Sequence, residues 1–256
     1  MSGRGEPDVM LIADDFGLGR QHDEVILDLL AERRISGTSV MIDGDIAPPD
    51  LERLRRLRQE GALVGLHLNL THAFAGSARH APLGDLLRLC LTGNPPGWAE
   101  QEFDRQAKAF VQAFGTVPDY YDGHQHCHCL PGLAAFAATL PRRETCWMRV
   151  PLPARLSGFV MNLRAGGPKV LSIALFAFLA RRTFRRSGWA TNRDFSGFLH
   201  LDRPESVARW LPRLLRDAPE DCLVMVHPGS AADPSQCDGH APSARAEEAM
   251  LLRRRA

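Results

Sequence analysis

The 256-residue sequence lacks the features typical of nucleic-acid-binding, membrane-spanning or repeat proteins. Its net charge is only +1, so nucleic acid is not an expected partner. The longest apolar run, VLSIALFAFLA at 170–180, is about half of the ~20 residues that a membrane-spanning helix needs, and we expect no transmembrane segment. Internal repeats, low-complexity tracts and linkers are also absent. We therefore expect one domain over residues 1–256.

The cysteines give no sign of a disulfide framework. They are scattered without a C-x-x-C pair, at Cys90, Cys127, Cys129, Cys146, Cys222 and Cys237. The first ten residues, MSGRGEPDVM, are polar and do not resemble a secretory signal. Together these features predict reduced thiols and a cytoplasmic location.

Short apolar runs alternate with amphipathic stretches along the chain. The runs predict strands at 9–13, 38–42, 63–70, 119–124, 146–150, 197–201 and 222–227. The stretches predict helices at 21–34, 49–61, 83–91, 99–114, 132–140, 168–186, 204–216 and 243–253. This alternation is typical of an α/β fold with a parallel sheet and crossover helices. Seven or eight such units favour a barrel over an open sheet.

Groups that can bind a metal or move a proton lie at the end of nearly every confident strand. They are Asp14, Asp15, His67, Asp122, His124, Arg149 and His227. The C-terminal ends of parallel strands meet at one side of such a fold, so we expect these side chains to converge. One carboxylate and two imidazoles on separate strands would form a metal site with positions open for water and substrate.

Several of these residues also have an ordinary structural interpretation. Asp14 and Asp15 could cap a turn or the following helix. His67 lies between leucines and could be a hydrogen-bonded core histidine. His227 precedes Pro-Gly and could belong to a turn. The convergence of all of them, rather than any single residue, indicates a catalytic centre.

The segment DGHQHCHC carries three alternating histidines. If the strand continues through it, His124, His126 and His128 share one face, where one can bind a metal while another contacts substrate. Cys127 and Cys129 do not have the C-x₂₋₄-C spacing of a structural zinc site. We interpret the two cysteines as small apolar side chains that pack against the helices.

Four sequence blocks resemble the signature blocks of the YdjC family of carbohydrate deacetylases. They are LIADDFGLG, GLHLNLT, DGHQHCHCLP and VHPG, in the family's order from residue 11 to residue 229. The resemblance implies a distorted (β/α) TIM-like barrel with seven or eight mostly parallel strands. It also implies metal-dependent hydrolysis of an N-acetyl group from an amino sugar, on an N-acetylated oligosaccharide or glycolipid.

The same resemblance assigns roles to individual residues. The implied metal ligands are Asp15, His67 and His124, and the implied ion is one Mg²⁺ or Zn²⁺, with two nitrogen ligands favouring zinc. Asp14 would be the general base and His227 the general acid. The expected substrate contacts are His126, Arg149, His128 and Asn69. An Arg-x-x-Glu stretch, Arg245 and Glu248, resembles the family's terminal helix.

The segment 155–195 does not match the oligosaccharide-specific members of the family, so the resemblance leaves the sugar open. It contains an apolar helix followed by four arginines, Arg181, Arg182, Arg185 and Arg186. The ordinary interpretation is a barrel helix with a solvated basic end. The alternative is a lip that contacts a membrane surface or a glycolipid phosphate, as a peripheral contact. A homodimer is a further expectation.

Two other functions stay open at this point. A metal-dependent hydrolase of phosphoesters or cyclic amides would require a second metal and further carboxylates at the strand ends. A non-catalytic sugar- or metal-binding barrel would keep the site without releasing acetate.

Overall fold

The computed structural model describes residues 9–74, 79–235, 237 and 239–255. Within these ranges eight strands form one sheet: β1 Met10–Phe16, β2 Gly37–Val40, β3 Leu63–Leu68, β4 Tyr120–Gly123, β5 Trp147–Met148, β6 Ala190–Thr191, β7 Asp194–Ser196 and β8 Cys222–Val226. The α-helices are α1 Arg20–Ala31, α2 Pro48–Gln59, α3 Leu83–Leu91, α4 Trp98–Phe114, α5 Leu133–Ala137, α6 Leu156–Gly166, α7 Lys169–Arg186, α8 Pro204–Asp217 and α9 Pro242–Arg254.

The sheet is parallel throughout and has the order β6-β5-β4-β3-β2-β1-β8-β7. It curls into a half-barrel whose two edges are β6 and β7. This confirms the expected α/β fold, a distorted TIM-like barrel with eight parallel strands. In such a fold the C-terminal ends of the strands form a common mouth.

Strands β1 to β4, β7 and β8 are buried along nearly their whole length. The sequences of β1 and β8 are continuous buried runs because helices and the barrel interior cover both faces of a parallel sheet. In β3, Gly65 is required by close packing. A Cβ atom at that position would come 2.2 Å from the ring of Tyr120 on the neighbouring strand.

The structure corrects the predicted strand at 197–201. The strand is β7, and it stops at Ser196 because Gly197 turns the chain with φ 109°. The apolar residues that suggested a strand, Phe198, Leu199 and Leu201, are instead buried in the loop that follows. Helix α6 and the short strand β6 were not predicted.

The histidine segment is also corrected. Strand β4 ends at Gly123, and His124–Cys129 form a 3₁₀ helix, with Gln125 and His126 in the left-handed region at φ 51° and 58°. The three histidines therefore do not share one strand face. Cys127 and Cys129 are buried in the main hydrophobic core, as expected.

All six cysteines are free thiols and buried. Within the described ranges, none of the helices has both the length and the apolar character that a membrane crossing requires.

Candidate metal centre

Three potential ligand atoms converge at the mouth of the barrel. Asp15 Oδ1 lies 3.3 Å from His67 Nε2 and 3.1 Å from His124 Nδ1, and all three side chains are buried. Two ligands of one cation, each bound at about 2.1 Å, lie about 3.0–3.5 Å apart. The group therefore fits a single divalent ion, with further positions open for water and substrate.

A distortion of β1 brings two adjacent aspartates to this mouth. Neighbouring residues of a regular strand point to opposite faces. Here the pairing of β1 with β2 shifts register between Ala13 and Phe16, and Asp15 has φ 69°. Aspartate tolerates this left-handed conformation better than most residues do. As a result Asp14 and Asp15 both contact other polar groups at the C-terminal end of the barrel.

Asp122 fixes the orientation of His67. Its Oδ1 accepts a hydrogen bond from His67 Nδ1–H at 2.6 Å, and its Oδ2 accepts one from Ser39 Oγ at 2.5 Å. In the form that binds a metal, His67 Nε2 therefore presents a lone pair to the carboxylate of Asp15. Two such atoms repel each other unless a proton or a metal ion lies between them, and a carboxylate on the far nitrogen is the usual support of a metal-binding histidine.

The charges around these ligands favour a cation. Burial opposes a charge on His67, but the carboxylates of Asp122 and Asp14 outweigh it and raise the pKa of His67 to about 10. Burial also disfavours the charged form of Asp15, yet Arg245 and His124 hold the pKa of Asp15 well below its usual range. The position between the two side chains thus attracts positive charge, whether as a proton or as a metal ion.

Arg149 holds Asp14 beside this group. Its two terminal nitrogens donate to the two oxygens of Asp14, each at 2.6 Å, and its Nε lies 3.1 Å from Asp122 Oδ2. His128 Nε2–H donates to the backbone oxygen of Arg149 at 2.7 Å. Arg149 and His128 are completely buried. Their contacts fit a role in positioning Asp14 better than a direct contact with a sugar.

His227 follows β8 and faces the same carboxylate. Its Nε2 lies 3.9 Å from Asp14 Oδ2, and its backbone N–H donates to the buried carboxyl group of Glu248 on α9. Burial and the nearby His240 ring hold the pKa of His227 well below its usual range. The ring is therefore neutral near pH 7, and it has to gain a proton before it can act as an acid.

The other two expected substrate contacts lie in different settings. The side chain of Asn69 donates to the backbone oxygen of His72 and accepts from the backbone N–H groups of Thr71 and His72, so it shapes the loop after β3. His126 is partly exposed and lies edge-on to the ring of Phe198, with 5.8 Å between the ring centres. Of the two, His126 is better placed to contact a substrate.

Among the residues that the structure describes, two further groups of potential ligands overlap the first: Asp14 with His67 and Asp122, and Asp15 with His227 and His240. In the first of these, Arg149 already donates to both oxygens of Asp14. The second group shares Asp15 with the main group, so the two groups cannot each bind an ion independently. The group of Asp15, His67 and His124 is therefore the best candidate.

The sequence interpretation missed two partners of these residues. Arg245 on α9 donates to Asp15 Oδ2 at 2.6 Å, which leaves Oδ1 facing His67 and His124. Arg245 and Glu248 stand three residues apart in a helix, and that spacing places them on one face. Ser39, which supports Asp122, gave no signal because it lies within a short buried strand.

The chain is similar to several known proteins. The sequence profile of the family described as YdjC-like protein matches residues 8–255. A carbohydrate deacetylase of Mus musculus is 28% identical over 248 residues, which cover 88% of this chain and 79% of the relative. A chitooligosaccharide deacetylase of Enterobacter sp. (strain 638) is 30% identical over 147 residues, which cover 54% and 57%.

One solved structure shares the fold. It comes from Enterococcus faecalis V583, and its protein is provisionally assigned to cellobiose-phosphate cleavage. The TM-score is 0.60 at 18% identity, with 97% of this chain and 91% of that chain covered. At this level of identity the likeness supports the fold alone.

Proposed function

Because the chain belongs to the YdjC-like family, as its sequence blocks indicated, we propose that it is a carbohydrate deacetylase. It would hydrolyse the N-acetyl group of an amino sugar and release acetate, with the help of one divalent cation. The relatives described above carry the names carbohydrate deacetylase and chitooligosaccharide deacetylase. The observation that carries the proposal is the buried group of Asp15, His67 and His124 beside Asp14 and His227.

The cation would be held by Asp15, His67 and His124. When bound, it would polarise the acetamide carbonyl group and lower the pKa of a nearby water molecule. The expected ion is Zn²⁺ or Mg²⁺. Two imidazole donors favour zinc, because magnesium prefers oxygen ligands.

The remaining residues handle the protons. Asp14 takes a proton from the attacking water as the water oxygen forms a bond to the carbonyl carbon. Arg149 keeps both oxygens of Asp14 in place for this transfer. The proton then passes from Asp14 Oδ2 to His227 Nε2, which lies 3.9 Å away. This transfer gives the neutral ring the proton that it needs to act as an acid.

His227 completes the reaction by protonating the nitrogen as the C–N bond breaks. One proton of the water thus ends on the sugar nitrogen, while the other stays on the carboxyl group and leaves when the acid ionises, so the products are acetate and a free amino sugar. His126 is the expected residue for direct contact with the sugar, since its ring is partly exposed beside Phe198.

Acetate release from a panel of N-acetylated sugars and glycolipids tests this proposal. We expect release from at least one compound, loss of release after chelation, and recovery when zinc or magnesium is added. Sugar binding without acetate release from any compound would favour a non-catalytic barrel. Release of phosphate from phosphoesters instead of acetate would favour the other class of hydrolase.

A substitution of the base separates chemistry from metal binding. Asp14→Asn should retain the bound metal and lower turnover by about 10²–10⁴-fold, the usual contribution of a general base. Asp104→Asn, on the exposed side of α4, is the matched control and should leave turnover unchanged. Normal turnover in the Asp14→Asn protein would refute the role given to Asp14.

A further inference from the structure

The hairpin of α6 and α7 has an apolar outer surface. The exposed positions of α7 include four large apolar side chains at the spacing of one helical face: Leu171, Leu175, Phe178 and Leu179. The middle of its buried face carries only alanines, Ala174, Ala177 and Ala180. On α6, Leu156 is 79% exposed. A helix that merely covers a barrel carries its large apolar residues inward and polar residues outward.

The same part of the chain is strongly basic. Residues 145–193 contain nine basic residues and no acidic residue, although the whole chain is nearly neutral. Six of the basic side chains are exposed on the two helices or at their ends: Arg155, Arg164, Lys169, Arg182, Arg185 and Arg186. The guanidinium group of Arg182 lies 5.8 Å from the centre of the Phe178 ring. Basic and apolar groups therefore form one surface on α7.

We propose that the outer face of α6 and α7 docks onto an anionic lipid bilayer. The leucines and Phe178 enter the boundary between headgroups and acyl chains, while the arginines contact lipid phosphates. At 18 residues, or about 27 Å, α7 is long enough to lie along the membrane plane. This proposal does not rest on the proposed function, because the metal ligands belong to other elements.

Charge favours a bilayer over a second copy of this chain. A two-fold interface places the same surface patch against itself. The arginines of one hairpin would then face the arginines of the other, and neither α6 nor α7 has an acidic residue to pair with them. Anionic headgroups supply the missing negative charge.

Cosedimentation of the full chain with lipid vesicles tests the proposal. We expect binding to vesicles of phosphatidylcholine and phosphatidylglycerol in equal amounts, and much weaker binding to phosphatidylcholine alone. Added salt should weaken the binding because it screens the arginines. A residual, salt-resistant part should remain because the apolar side chains still insert.

Two double variants separate the apolar and basic contributions. Leu175→Glu with Phe178→Glu should lower binding at least tenfold, because it removes the inserted groups and adds charge that anionic lipids repel. Arg182→Glu with Arg186→Glu should also lower binding at least tenfold, since each basic residue contributes about fivefold. The matched controls are Leu91→Glu on α3 and Arg56→Glu on α2, both exposed in the native chain, and they should bind normally.

Circular dichroism verifies that each variant is folded, and acetate release from a soluble sugar should be the same in all of them. A failure of docking is thus distinguishable from a failure of the proposed function. The proposal is overturned if anionic vesicles are not bound, or if the Leu175→Glu, Phe178→Glu variant binds them like the native chain. A dimer in light scattering that the same variant dissociates would assign the surface to a second copy instead.

Discussion

The mouth of the barrel and the α6–α7 hairpin depart from the usual distribution of side chains in opposite directions. At the mouth, carboxylates, imidazoles and two arginines are buried, whereas on the hairpin leucines and a phenylalanine are exposed. Burying charge is unfavourable unless it is paired, and exposing a large apolar patch promotes association. A buried charged site and an exposed apolar surface are the features that the proposed metal centre and the proposed docking face require.

The two regions also differ in how their side chains are held. The single side chain of Asp122 contacts His67, Ser39 and Arg149. One substitution at the mouth therefore disturbs several partners. The apolar residues of the hairpin point to solvent. We therefore expect changes at the mouth to affect chemistry and stability together, and changes on the exposed face of the hairpin to affect neither.

The largest effect is expected from removing a proposed metal ligand. His67→Ala should bind no stoichiometric zinc and should lose acetate release by about a thousandfold or more, because a catalytic ion contributes several kcal/mol. Equilibrium dialysis with elemental analysis measures the metal. His80→Ala, an exposed histidine, is the control. Retention of metal and turnover in His67→Ala would remove the chemical distinction between the two regions.

A second prediction compares a buried with an exposed ion pair. Arg149→Met should lower the free energy of unfolding by about 3–5 kcal/mol, because Asp14 and Asp122 remain buried without their partner. Arg193→Met breaks the exposed ion pair with Asp221 and should change the free energy of unfolding by less than about 1 kcal/mol. Urea unfolding measures both. Equal losses of unfolding free energy in the two variants would show that Arg149 does not stabilise the mouth.

A third prediction concerns the two faces of α7. Ala177→Glu places a charge against the core and should destabilise the chain by about 2–4 kcal/mol. Leu175→Glu, two residues earlier on the exposed face, should change stability by no more than about 0.5 kcal/mol. Thermal and urea unfolding compare them. A large loss in Leu175→Glu would mean that the outer leucines belong to the core.

The last prediction is a pH dependence of stability in the metal-free protein. Burial raises the pKa of Glu248 from 4.5 to about 8. Between these values the folded state holds a proton that the unfolded state has released, so this group makes stability fall as pH rises. Glu248→Gln removes that slope, and its advantage over the native chain in unfolding free energy should grow from pH 4.5 towards pH 8. If this difference in unfolding free energy became smaller as the pH rose, Glu248 would not be neutral in the folded state.

The location of the mouth could be predicted because it follows from local pattern alone. Apolar runs locate most of the strands, and their parallel order decides which ends meet. Asp14, Asp15, His67, His124 and His227 stand at those ends. The partners of these residues could not be predicted in the same way. Arg245 is 230 residues from Asp15, and Arg149 is 135 residues from Asp14. Such long-range pairs depend on tertiary packing, which the hydrophobic periodicity of the sequence does not predict.

The histidine segment shows where local pattern misleads. Its alternation imitates a strand, but the chain folds back after Gly123, where a Cβ atom would come 2.8 Å from His128 Nδ1. Consecutive left-handed residues at Gln125 and His126 make this turn, and they are held by surrounding structure rather than by propensity. The apolar loop after β7 misled in the same manner, since burial at the mouth requires apolar residues without requiring a strand.

Anomalous diffraction from crystals of the zinc-loaded protein tests the central claim most directly. The account predicts one strong zinc peak about 2.0–2.2 Å from Asp15 Oδ1, His67 Nε2 and a ring nitrogen of His124. A peak bound elsewhere, or no ordered zinc at the barrel mouth, would contradict it.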